Sequence, residues 1–249
     1  MGNPDLSGMK AGDAHYMAYV GPPRDYDIMA ATQFSLLTMM GLRSTAKVLD
    51  VGCGSLRAGR LLIPYLDKGN YFGIEPNKWL VQEGIEQHFG ESILEVKMPR
   101  FAHNENFDAS EFNTKFDVVL AQSVLSHTGR DLAATALRQL GSVLAEGGAA
   151  YITFGIRPQP RPAGQVAPQG WVYPELVRFQ SYQIEEMAAE SGLQCARLRW
   201  FHPRQAWYAF AHDAASLPPR IALEQGGYSR SFPKSANRGN KPGKAPAKP

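Results

Sequence analysis

The chain has only two cysteines in 249 residues, Cys53 and Cys195. Neither stands in a paired metal-ligand spacing, so no metal set is expected. A disulfide between them would tie an early glycine turn to a late strand, a link that a reducing compartment does not maintain. Cys53, flanked by glycines, and Cys195, inside an alternating strand pattern, read as packed side chains. No apolar run approaches the roughly 20 residues that span a bilayer, and the opening MGNPDLSGMK has no apolar leader core. Leu6 stands where a myristoylation site needs Ser or Thr. These absences point to a soluble, cytoplasmic chain with no membrane partner.

A strong charge of one sign is also missing. The formal net charge is +3, but residues 230–249 hold six basic side chains and no acid, while the other 229 residues carry 20 basic and 23 acidic ones. A nucleic-acid face would have to be built from that tail alone. Apolar residues at 44% and charged residues at 20% are ordinary for a globular protein, and nothing repeats internally. The length suits one α/β core with attachments.

What is present centres on Lys47 to Leu62, KVLDVGCGSLRAGRLL. The apolar run Val48-Leu49-Asp50-Val51 enters Gly52-Cys53-Gly54, and a helical pattern follows with Leu56, Leu61 and Leu62. Strand, glycine turn and helix in that order place free N–H groups and little side chain at a crevice, which suits a nucleotide-like ligand. A dinucleotide fingerprint would want a third glycine at position 57, and Arg57 stands there. Asp50 would repel a pyrophosphate but could hold an ammonium. The next strand, Tyr71 to Ile74, ends in Glu75, a carboxylate placed to accept from two ribose hydroxyls. Adenosine joined to an amino acid end describes S-adenosylmethionine.

VLDVGCG, then YFGIEPN, FDVVLAQSVLSH and a glycine pair before YITF together resemble the class I, Rossmann-like, S-adenosylmethionine-dependent methyltransferases, from about Ala46 to Asp213. Leu56 occupies the place of that family's third turn glycine. The resemblance implies a doubly wound α/β fold with a seven-stranded mixed sheet, parallel strands plus a terminal antiparallel hairpin. It implies a cofactor seat at Asp50, Gly52, Cys53, Gly54, Arg57 and Glu75. Asp108 and Ala109 match the acid-plus-small-residue pair that meets adenine, with Glu111 as a rival, and Gln122 and Ser123 emerge at the end of the fourth strand. The loop Ala121-Gln122-Ser123-Val124 differs from the Asn- or Asp-Pro-Pro-aromatic motif of DNA amino-methyltransferases and has no cysteine for attack at cytosine C5.

Around this core the sequence suggests three attachments. Residues 1–44 form an N-terminal cap, with a helix over about Asp27 to Met40 whose face is Ile28, Ala31, Ser35, Leu36 and Met39. Tyr16, Tyr19, Arg24, Asp25 and Asp27 are its candidates for covering cofactor or substrate. The methyltransferase domain is 45–213, with a lid loop at 155–180. The stretch Arg157 to Pro174 has five prolines and is long for a connector, as binding loops are. There Trp171 and Tyr173 are candidate substrate walls, and Arg157 and Arg161 candidate partners for an acidic group. Residues 214–249 are a basic tail with the composition of a disordered segment.

Helices are expected over Leu56–Leu66, Asn77–Phe89 with Asn77 as N-cap, Asp131–Leu144 stopped by Gly147-Gly148, and Ser181–Ser191 stopped by Gly192. Glu95–Lys97 and Arg100–His103 are both possible strands. His127, just past the fourth strand, is the candidate general base, with a loop-bonding role as the alternative. The expected activity is methyl transfer to oxygen or nitrogen of a small-molecule acceptor. Two alternatives stay open: methylation of RNA or protein aided by the tail, or an adenosyl-binding module without transfer.

Overall fold

The computed structural model describes Leu6, residues 8–160 and residues 166–219. The tail beyond Pro219 and Arg161 in the lid lie outside these. In chain order the elements are α1 (Tyr16–Tyr19), a 3-10 turn (Pro23–Asp25), α2 (Tyr26–Met39), β1 (Val48–Val51), α3 (Gly59–Tyr65), β2 (Tyr71–Ile74), α4 (Lys78–His88), α5 (Ser92–Lys97) and β3 (Arg100–Ala102). There follow β4 (Phe116–Ala121), α6 (Arg130–Ser142), β5 (Leu144–Ile156), β6 (Arg178–Phe179), α7 (Ser181–Glu190), β7 (Gln194–Leu198) and β8 (Ala206–Ala211).

Seven strands lie in the order β3-β2-β1-β4-β5-β8-β7, and the two-residue β6 pairs with β5 off that path. From β3 to β5 every pair is parallel; β8 runs antiparallel to β5 and to β7. Chain direction through the sheet reverses between β1 and β4, and a crevice opens outside the carboxyl ends of strands at such a point. Strand periodicity divides the interior into two cores. Leu49 and Val51 face α6 and α7 with Phe72, Val119 and Ile152. Val48 faces the other way, onto Tyr71, Leu36, Leu62, Val81 and Trp207. Asp50 follows Val48 by two and so points into that second side.

Four local readings are corrected. On α2 the buried residues are Tyr26, Met29, Ala30, Gln33, Leu36 and Leu37, while Ile28 and Met39 are exposed; of the expected face only Leu36 is inside. Glu95–Lys97 belongs to α5, leaving Arg100–Ala102 as the strand. The first core helix begins at Gly59 and holds Pro64, because Leu56 belongs to the turn. Gly147 and Gly148 lie within β5, not behind α6: Gly147 has φ +73°, and a Cβ on Gly148 would stand 2.7 Å from the Phe116 carbonyl oxygen. The pairing of β4 with β5 shifts register just there. Gly192, at φ +70°, does close α7. No helix among the described residues is long and apolar enough to cross a membrane.

Candidate functional site

The turn after β1 is hooked to β2 by two bonds, from Gly52 N and Cys53 N to the Ile74 carbonyl, at 2.8 and 3.1 Å. Along it Gly52, Gly54 and Leu56 all take left-handed backbone, at φ +65°, +53° and +59°. For a leucine that conformation costs roughly 1–2 kcal/mol. Its side chain is fully buried against Gly59 and Gly84, which offsets the strain. Gly84 lets α4 approach closely, since a Cβ there would stand 2.6 Å from the Ser55 carbonyl oxygen.

Two carboxylates flank this turn. Asp50 is buried and accepts a 2.8 Å bond from the Tyr71 hydroxyl. Burial pushes its pKa up to about 7, against the lowering effects of that bond and of Arg57. Glu75 faces the turn across the crevice: one oxygen accepts from Gly54 N at 3.1 Å, the other from Asn77 N and Nδ2 at 2.9 Å each. Burial raises its pKa as well, and these bonds oppose the rise. Asn77, expected to cap α4, instead turns its amide back to Glu75 and makes no cap bond. His103 donates from Nδ1 to the Glu75 carbonyl at 2.7 Å.

The far wall is built from the end of β4. Gln122 is buried, with Nε2 donating to Met29 Sδ at 3.6 Å and Oε1 without a partner among the described residues. Ser123, at φ +59°, is held by a 2.7 Å bond from its N–H to Thr153 Oγ1. Arg57 donates from Nη1 to the Val20 carbonyl at 2.8 Å, while its buried Nε has no partner among the described residues.

Residues 16–20 and 171–177 meet over the glycine turn. Tyr173 Oη donates to the Tyr19 carbonyl. The Tyr19 ring packs on Tyr173 and on Trp79 of α4, with centroids 5.5 and 5.3 Å away. The Tyr16 carbonyl accepts from Ser55 Oγ at 2.8 Å. The space opened by the turn glycines is taken by two valines, Val20 against Gly54 and Val124 against Gly52. This corrects the expectation that those glycines stand bare toward a ligand. The lid is strapped along the loop after β4, through Gly129 N to the Gly170 carbonyl, Val172 N to the His127 carbonyl and Val177 N to the Ser126 carbonyl.

His127 donates from Nδ1 to the Glu175 carbonyl at 2.6 Å, which fixes the ring proton there and leaves Nε2 as a lone pair. Burial lowers its pKa, so the ring is neutral near pH 7. Its ring meets Tyr173 edge-on at 4.9 Å.

Other expected residues lie at the margin. Asp108 turns its carboxylate to Ser110 N at 2.8 Å, with Ala109 buried beside it. Trp171 is exposed, its ring set against Phe107, and donates to the Glu105 carbonyl. Arg157 binds the Phe179 carbonyl through its backbone, and its buried Nε has no partner among the described residues. Arg24 pairs with Asp25, and Asp27 with Arg60, on the outer face of the cap rather than in the crevice. Among the described residues no His, Cys, Asp and Glu cluster could hold a metal ion.

The sequence reading missed His202 and Gln205, both within bonding distance of Ser123 Oγ, and Trp79. The signal for the first two was topological. A hairpin antiparallel to β5 must put its connecting loop at the carboxyl end of the parallel strands.

The sequence model of a family described as Methyltransferase domain matches residues 49–150. Comparison with curated proteins gave no match. Solved structures give many. Magnesium protoporphyrin IX methyltransferase of Synechocystis PCC 6803, with SAM bound, aligns at 16% identity over 75% of this chain and 82% of that one, TM-score 0.54. A TehB-like SAM-dependent methyltransferase from Corynebacterium glutamicum aligns at 23% identity over 80% and 99%, TM-score 0.54. PKMT2 from Rickettsia typhi aligns at 13% identity over 80% and 56%, TM-score 0.58.

Proposed function

Because the chain carries a methyltransferase domain in the class I, Rossmann-like fold, we propose that it transfers a methyl group from S-adenosylmethionine to oxygen or nitrogen of a small-molecule acceptor. The observation that carries this reading is the arrangement of Glu75, bonded to Gly54 N, with Asp50 in electrostatic reach of both Glu75 and Arg57, while Gln122 Oε1 and Arg57 Nε are buried without a partner among the described residues. A buried acceptor and a buried donor left unpaired each cost free energy that a ligand of matching polarity recovers. An amino acid end fits that set: its ammonium would meet Asp50 and Gln122 Oε1, and its carboxylate Arg57 Nε.

Glu75 would exchange its bonds to Gly54 and Asn77 for ribose hydroxyls, with Asp108 and the Ala109 backbone at adenine. Gly52, Cys53 and Gly54 would form the wall beneath, and Ser123 the middle of the site. S-adenosylmethionine supplies, when bound, a methyl group on a cationic sulfur. The chain's own task is then alignment and exclusion of water. Tyr16, Tyr19, Trp171 and Tyr173 would wall the acceptor, and Arg157 would meet an acidic group on it. Where the acceptor carries a proton, His127 Nε2 has the free lone pair to take it.

The same reading assigns residues 1–44 as cap, 45–213 as the transferring domain with its lid at 155–180, and 214–249 as an appended basic segment, working in the cytoplasm. Methylation of RNA or protein is the second reading, favoured only by the six basic side chains of residues 230–249. Calorimetry with S-adenosylhomocysteine tests the first. Saturable binding is expected, weakened by about 1–3 kcal/mol in Glu75→Ala, the scale of hydrogen bonds to a charged group. Unchanged affinity in that variant removes Glu75 from the site.

A further inference from the structure

The loop between β7 and β8 determines what Ser123 can recognise. His202 Nδ1 accepts from Arg204 N at 3.2 Å and from Gln205 N at 3.0 Å, so it bears no proton. The one ring proton of the neutral imidazole is therefore on Nε2, 3.3 Å from Ser123 Oγ. Gln205 Nε2 donates to the same oxygen at 3.1 Å and to Ser126 Oγ at 3.0 Å. A hydroxyl has two lone pairs and one proton. Both lone pairs of Ser123 are engaged, and its proton has no acceptor among the described residues. Ser123 is a hydrogen-bond donor and nothing else.

Its hydroxyl has no carboxylate partner among the described residues. No carboxylate lies within ion-pair distance of Arg57 or Arg204 among the described residues, and burial with help from Arg204 and Arg57 holds His202 neutral, its pKa down at about 4. Asp50 and Glu75 bond to Tyr71, Gly54 and Asn77 rather than to Ser123. A donor-only hydroxyl near the Arg204 guanidinium, which no carboxylate pairs among the described residues, selects a group rich in lone pairs and already anionic.

Resting on the methyltransferase reading above, we propose that the acceptor presents a carboxylate to the Ser123 hydroxyl and is converted to its methyl ester. One carboxylate oxygen forms a bond to the methyl carbon, the carbon–sulfur bond breaks, and its electron pair stays on sulfur, which changes from sulfonium to thioether. No proton moves, so His127 Nε2 is not called on. His202 and Gln205 are positioning residues that act through Ser123.

The test uses the full chain saturated with S-adenosylhomocysteine and two probes of one shape, benzoate and neutral benzamide. Benzoate is expected to bind at least about tenfold more tightly, the scale of a charge-assisted bond. Ser123→Ala should reduce that preference to about threefold or less, and Gln205→Glu, which hands the Ser123 proton an internal acceptor, should do the same. Nitrogen-15 spectra should show His202 with its proton on Nε2. Equal binding of the probes, a preference that survives both variants, or a proton on Nδ1 overturns the proposal while leaving the methyltransferase reading intact. Failure of the unaltered chain to bind S-adenosylhomocysteine takes down both.

Discussion

Asp50 sits beneath the glycine turn with its carboxyl bonded to Tyr71 and its pKa lifted to about 7 by burial. A carboxylate whose folded pKa lies above its usual value near 3.8 contributes stability that is complete below that value and is lost as pH rises through about 7. Unfolding stability should therefore fall between pH 4 and pH 7 in the unaltered chain, and Asp50→Asn should flatten that fall in denaturant titrations. Facing a ligand ammonium, the same group must ionise. Affinity for S-adenosylhomocysteine is then expected to rise about tenfold per unit up to pH 7 and level off above it, with close to one proton released in calorimetry across buffers of differing ionisation enthalpy. At Leu56 two effects oppose each other. Glycine would relieve roughly 1–2 kcal/mol of left-handed strain, but removing a fully buried leucine side chain costs about 2–5 kcal/mol. Burial wins, so Leu56→Gly should lower stability by about 2 kcal/mol by chemical denaturation. The placing of Asp50 and Glu75 was legible because strand ends and a glycine turn fix where a side chain emerges. His202 and Gln205 were not, since residues 202–205 read only as a hairpin turn and reach Ser123 through the folded hairpin alone.

At the scale of elements, the buried strands β1 and β4 were readable as apolar runs, because a strand covered on both faces needs little else, and β8 as an alternating aromatic pattern. The face of α2 was not, for a physical reason: Ile28, Met29, Ala30 and Ala31 are consecutive apolar residues, and such a run points to every side of a helix. The second core chose Leu36 and Leu37, with Tyr26 reaching Ser55 and His88. Similarly, the three residues Glu95–Lys97 hold one apolar side chain and no period at all. The contact between α1 and the lid is a closure made of one hydroxyl bond and two ring contacts, Tyr173 to Tyr19 and Tyr19 to Trp79. Tyr173→Phe keeps the rings and removes the bond, worth about 1 kcal/mol. If that bond holds Val20 over Gly54 in competition with a ligand, the variant should bind S-adenosylhomocysteine up to about fivefold more tightly and with a faster association rate in stopped-flow fluorescence. An unaltered rate and affinity would show that the bond does not restrain entry.

Over the whole molecule, charge and topology separate the small-molecule reading from its rival. Residues 230–249 carry the basic excess, and the rest of the chain is slightly acidic. Removing residues 229–249 is expected to leave S-adenosylhomocysteine affinity unchanged within about twofold and to abolish any salt-dependent retention on RNA. Methyl transfer that disappears with the tail would favour a macromolecular acceptor instead. Doubly wound architecture was legible from the alternation of strand and helix patterns. The crossing of cap and lid was not, because it joins residues 154 positions apart, Tyr19 and Tyr173. That separation carries an implication for biosynthesis. On a ribosome the glycine turn, both carboxylates and the first four strands emerge well before Tyr173, so a nascent chain presents the candidate site before the residues that cover it have been made.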